Sequence, residues 1–95
     1  MLARLERLEW RLTEVNQLLS GESAAQDINA FRALNREHAE LTEIVGHYQA
    51  WRQAGSDLAA AQQMRDDPDL REFAEQESQS ADERLAEEAR TLQRL

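Results

Sequence analysis

From Met1 to Asp67 the chain contains no proline, and over most of that span its apolar residues recur at steps of three and four. A segment with that spacing and no breaker can satisfy its backbone only as helix, and as a long one. Leu5, Leu8, Leu12, Val15 and Leu19 predict a first helix over residues 2–19 with a coiled-coil-like seam. Ser20-Gly21 supplies a stop, with Gly21 suited to a left-handed C-cap. After a small polar connector, Glu22 to Gln26, a second helix is expected from Asp27, a good N-cap, with Ser23 as an alternative start. Its stripe runs Phe31, Leu34, His38, Leu41, Val45 and Tyr48, and then shifts face through Ile44, Trp51, Gly55 and Leu58. With nothing to stop it before Pro68, this helix is predicted over 27–66, about 60 Å at 1.5 Å per residue.

Asp66-Asp67-Pro68-Asp69 is the sharpest punctuation in the sequence. Proline suits a first helical position, and Asp67 suits the cap before it. A third helix is therefore expected over 68–94, with Leu70, Phe73, Ala74, Ala81, Leu85, Leu92 and Leu95 on its seam and Glu77 and Glu88 intruding. Short turns make neighbouring helices antiparallel. The first helix can cover the early half of the second and the third helix the late half, overlapping only near residues 39–45. The expected fold class is all-α: an elongated antiparallel three-helix bundle, or helical hairpin, with coiled-coil-like packing.

Composition agrees. Of 39 apolar residues 15 are Ala, which leaves 24 side chains of core size for 95 residues. Two Ile, two Val and three Thr are the only β-branched residues, and helix formers dominate. The 11 cations are all Arg, against 19 acids, for a net charge of -8. That balance argues against general nucleic-acid binding, DNA included. It is also uneven. Residues 1–19 carry three Arg and three Glu, whereas residues 66–95 carry four Arg and ten acids. The absence of Cys excludes disulfides, thiolate chemistry and Cys-ligated metals, and the absence of Lys excludes Schiff bases. No stretch nears the roughly 20 apolar residues of a membrane span.

His38 and His47 lie nine residues apart on one helix and point to nearly opposite sides, so they cannot share a metal. His38 falls on the seam and reads as a packed, hydrogen-bonded residue; His47 reads as paired with Glu43 one turn earlier. Asp66, Asp67 and Asp69 are explained by capping, and the glycine and distal glutamate of a calcium loop are missing. No nucleophile, acid–base pair, cofactor motif or metal motif stands out, so the chain is expected to be non-enzymatic and free of cofactors. The candidate partner contacts are Arg4, Arg7 and Arg11, a ridge beside the first seam, together with Trp10 opposite the leucines. The alternative for the ridge is a solvated face paired with Glu14, and for Trp10 a single exposed aromatic.

The run Phe31-Arg32-Ala33-Leu34-Asn35-Arg36-Glu37-His38-Ala39-Glu40-Leu41 resembles the start of bacterial class I peptide chain release factors, in its aromatic-x-x-Leu-x-basic-Glu-x-Ala-x-Leu pattern. Ala61-Gln62-Gln63-Met64-Arg65-Asp66-Asp67-Pro68-Asp69-Leu70-Arg71-Glu72-Phe73-Ala74-Glu75 is similar to the same family's acidic, proline-containing turn before an Ala-Glu helix. Leu5 to Leu19 fits its first helix, as would many amphipathic helices. The chain is most similar to the type that reads UAA and UAG; the Asp-Val-Trp segment of the other type is missing.

The resemblance implies a cytoplasmic N-terminal domain of a factor several times longer, whose stop-codon tripeptide and Gly-Gly-Gln loop lie downstream. Neither Gly-Gly-Gln nor Pro-x-Thr occurs in this sequence, so no codon-reading or hydrolytic role is carried over. The implied partners are the ribosome, at the stalk base and GTPase-associated region of the large subunit, and the GTPase that recycles release factors. A rival reading is a free-standing coiled-coil module that self-associates through uncovered positions such as Trp51 and Leu58. A reading frame that continues to Gly-Gly-Gln would favour the first, and a stop codon after Leu95 the second. A stop codon together with ribosome binding would instead suit an anti-termination mimic.

Overall fold

The computed structural model describes residues 2–95, apart from the side chains of Ser23 and Ala25. It contains three α-helices, α1 (Leu2–Ser20), α2 (Ile28–Met64) and α3 (Arg71–Arg94), with a 3-10 turn at Glu22–Ala25 and no strand among the described residues. The chain divides into two units, one of residues 1–46 and one of residues 47–95. In the first, α1 forms a hairpin with residues 28–46 of α2. In the second, residues 47–64 of α2 form a hairpin with α3.

The first unit is built on branched aliphatics. Leu5 and Val15 of α1 are fully enclosed, Leu41 and Val45 of α2 are buried, and Leu8, Leu12, Leu19 and Leu34 are half-buried. His38 is half-buried too, but its recorded hydrogen bond is through its backbone carbonyl, which accepts from Thr42 Oγ1 at 2.7 Å, rather than through the ring. The connector does not form the left-handed cap that Gly21 suggested, since no glycine has positive φ among the described residues. Instead the helix tightens. Gly21 N–H donates to the Leu18 carbonyl at 3.4 Å, and Ala24 N–H to the Gly21 carbonyl at 3.2 Å, so the last carbonyls are met by i+3 bonds. Asp27 caps α2: its Oδ1 accepts from the N–H of Asn29 at 3.1 Å and of Ala30 at 3.2 Å. The alternative cap, Ser23, lies outside the described side chains.

The second unit packs on small residues. Ala54 and Ala61 of α2 and Ala74, Ser78 and Ala81 of α3 are buried, joined by Tyr48 and Leu92. Small side chains at facing positions let two helices approach closely, because bulk at the contact sets the interaxial distance. A Cβ placed on Gly55 would already lie 3.8 Å from Leu85 Cδ1. The hairpin is antiparallel: His47 meets Glu88, while Asp57, ten residues on, meets the earlier Arg84.

Two expectations for α3 need correction. The helix starts at Arg71 and not at Pro68. Asp67 spends its carboxylate on the Asp69 N–H at 2.9 Å, and its carbonyl accepts from Leu70 N–H at 3.0 Å, so Asp67-Pro68-Asp69-Leu70 closes as a turn before any helical bond forms. The first i+4 bond, Ala74 N–H to the Leu70 carbonyl at 2.8 Å, comes only afterwards. The seam also differs in part. Ala74, Ala81 and Leu92 are buried and Leu85 half-buried as expected, but Ser78 is buried where Glu77 was expected, and Phe73 and Leu70 lie exposed.

Candidate docking surfaces

The ridge of three arginines is not a single surface. Arg11 Nε donates to Glu37 Oε2 at 2.6 Å and Arg11 Nη2 to Glu37 Oε1 at 2.8 Å, a two-point pair that fastens α1 to α2. Arg11 also bonds Glu14 one turn along its own helix. These bonds raise the Arg11 pKa further, and the Arg11 hydrogen bonds hold the Glu37 carboxyl below the usual glutamate range. A guanidinium so engaged has little charge left for a partner. Arg4 and Arg7 differ: both are exposed, and neither forms an ion pair among the described residues.

Trp10 stands 76% exposed, one helical turn from Arg7. A shallow open groove beside it is lined by Arg11, Thr13, Glu14 and Gln17. The face therefore offers two free cations and a large flat aromatic, a set able to meet a phosphate and to stack on a planar group.

In the second unit His47 Nδ1 lies 2.7 Å from Glu88 Oε2, not against Glu43, and so gives the carboxylate that intrudes on the α3 seam a partner across the hairpin. Asp57 accepts from Gln53 Nε2 at 2.9 Å and from Arg84 Nη2 at 3.1 Å. The Gln53 bond, with Arg84 second, holds its carboxyl below the usual aspartate range. Tyr48 is sandwiched: its ring stacks with Trp51, centroids 6.3 Å apart, and the Arg52 guanidinium lies 4.6 Å from its centroid. Trp51 and Leu58, the positions suggested for self-association, are half-buried. No group of three or more metal-binding side chains is gathered among the described residues, the Asp66–Asp69 corner included. Among the described residues no helix is long and apolar enough to cross a membrane.

Comparison with known families matches the PCRF domain to residues 8–95. The chain belongs to the PCRF domain family. Among curated proteins, this PCRF domain is similar to peptide chain release factor 1 of Burkholderia multivorans, at 46% identity over all 95 residues, and of Burkholderia thailandensis, at 44%. It spans about a quarter, 26%, of the length of each of these relatives. No solved structure matches it. The sequence pattern at Phe31–Leu41 and the acidic proline turn thus sit inside the matched domain. Sequence reasoning missed Glu37 as the partner of Arg11 and Glu88 as that of His47. Both partners lie on another helix stretch, 26 and 41 residues away, beyond the reach of any local spacing rule.

Proposed function

We propose that this PCRF domain is the N-terminal ribosome-docking domain of a translation termination factor that reads UAA and UAG in its full-length form, and that it is non-catalytic by itself. The observation that carries the reading is the family match over residues 8–95, with full-chain identity to proteins named peptide chain release factor 1. The face formed by Arg4, Arg7 and Trp10 is the contact to ribosomal RNA at the stalk base and GTPase-associated region. Two unpaired arginines can release counterions from phosphates, and the adjacent indole can stack on an unpaired base. The recycling GTPase is a second candidate partner.

The test uses the complete factor. Deleting this domain leaves stop-codon recognition and peptide release largely intact and weakens ribosome association; complete loss of release would count against the reading. Within the domain, Arg4→Glu and Arg7→Glu lower ribosome affinity and flatten its salt dependence by about one unit of slope per lost phosphate contact. An unchanged affinity and slope removes this face from consideration.

A further inference from the structure

We propose that the corner where α3 begins is a second docking surface, one that receives a basic protein segment carrying an apolar side chain. Leu70 and Phe73 lie one turn apart and stand 42% and 53% exposed, at the edge of the α3 face that buries Ala74 and Ser78. Around them, residues 66–77 carry six acids, Asp66, Asp67, Asp69, Glu72, Glu75 and Glu77, against the single cation Arg71. All six acids are exposed, and none forms an ion pair among the described residues.

The backbone adds an independent sign. Leu70 is the N-cap of α3, with φ -106° and ψ 0°, and makes no side-chain capping bond. Ser, Thr, Asp or Asn is favoured at that position, and this chain places an exposed leucine there, between Asp69 and Arg71. A locally unfavourable choice with no return inside the fold is the mark of a position kept for contact.

The chemistry selects the partner. An apolar pair ringed by unneutralised carboxylates repels phosphate, so RNA is disfavoured here. It repels its own copy as well, since each chain carries -8. Arginine or lysine flanking a leucine-like anchor satisfies both the ring and the centre. This surface belongs to the second unit and the ribosomal contact proposed on α1 to the first; either can fail alone.

The 95-residue chain is titrated with three probes: a helical peptide presenting Leu flanked by Arg on one face, the same peptide with Leu replaced by Ser, and a uridine oligonucleotide. Amide shifts locate the binding, and sedimentation reports self-association. The Leu/Arg peptide should bind with shifts confined to residues 66–77. The Ser peptide should bind about tenfold more weakly, Phe73→Ser should cause a similar loss, and Phe73→Leu should retain binding. Because Phe73 is largely exposed, these variants keep the helical circular dichroism of the parent. Equal binding of the two peptides, indifference to Phe73→Ser, shifts spread over every acid of α3, uridine binding at the corner, or self-association lost in Phe73→Ser would each overturn the proposal.

Discussion

The two units are both two-helix hairpins, yet they are held together differently. The unit of residues 1–46 closes on Leu5, Val15, Leu41 and Val45 and is pinned by the Arg11–Glu37 pair. The unit of residues 47–95 closes on Ala54, Ala61, Ala74, Ser78 and Ala81, with polar pairs at His47–Glu88 and Asp57–Arg84. Branched side chains fill space between helices, whereas alanines remove it. The first hairpin buries mainly branched side chains, and the second mainly small ones, with Tyr48 and Leu92 beside them. The surfaces differ as well. Outside, α1 leaves Arg4, Arg7 and Trp10 together with Leu2 and Leu18, whereas α3, which buries Leu92 with its small residues, leaves Leu70, Phe73 and the acids.

The contrast can be broken most directly in the cores. Leu5→Ala should cost about 3 kcal/mol, because it removes buried methylenes and leaves a cavity. Enlarging a residue of the second unit should do the damage there: Ala54→Leu should cost about 1–3 kcal/mol by overpacking. Urea unfolding, with amide exchange read separately for each unit, measures both. A stabilised Ala54→Leu would show that the second hairpin has room and is not held by close approach.

A smaller change of opposite sign is expected at Ser78. Its hydroxyl is buried, with no hydrogen-bond partner among the described residues. Ser78→Ala removes an unsatisfied polar group at nearly constant volume and should stabilise the second unit by about 1 kcal/mol. A loss on thermal unfolding would mean that the hydroxyl is satisfied in solution.

The smallest effect is electrostatic, because the pairs are partly exposed. Glu37 has a folded pKa below its ordinary value, so the stability it contributes is present above the ordinary glutamate pKa and is lost as pH falls through the folded one. The parent should therefore be slightly more stable than Glu37→Gln at neutral pH, with the gap closing in acid. Asp57→Asn should behave alike in the second unit, its carboxyl being lowered by Gln53 and Arg84. A gap in urea titrations that does not narrow as pH is lowered would mean that packing, not charge, sets the difference.

Much of the first unit was legible in the sequence. The Leu5–Leu19 seam and the Asp27 cap are local: each depends on neighbours within a turn or two. The start of α3 was misread for an equally local reason. Asp67 suits both a helix cap and an Asx turn, and here its carboxylate takes the Asp69 N–H while the Leu70 N–H closes a turn on its carbonyl, ahead of the first i+4 bond. The α3 seam was legible in part: Ala74, Ala81 and Leu92 are buried as expected, whereas hydropathy also favoured Leu70 and Phe73, which lie exposed, and passed over Ser78, which is buried. Of the candidate surface, Arg4, Arg7 and Trp10 remain exposed and Arg11 does not.

By itself, then, the sequence determined that this chain is all helix, where α1 and α2 begin, and that its acids gather in the last third, because propensity, capping and charge are properties of residues and near neighbours. Tertiary structure alone decided which arginine is consumed by a carboxylate 26 residues away. It also decided the edge of the α3 seam, with Ser78 inside and Leu70 and Phe73 outside, because the fit of two helices is a property of both and is written in neither.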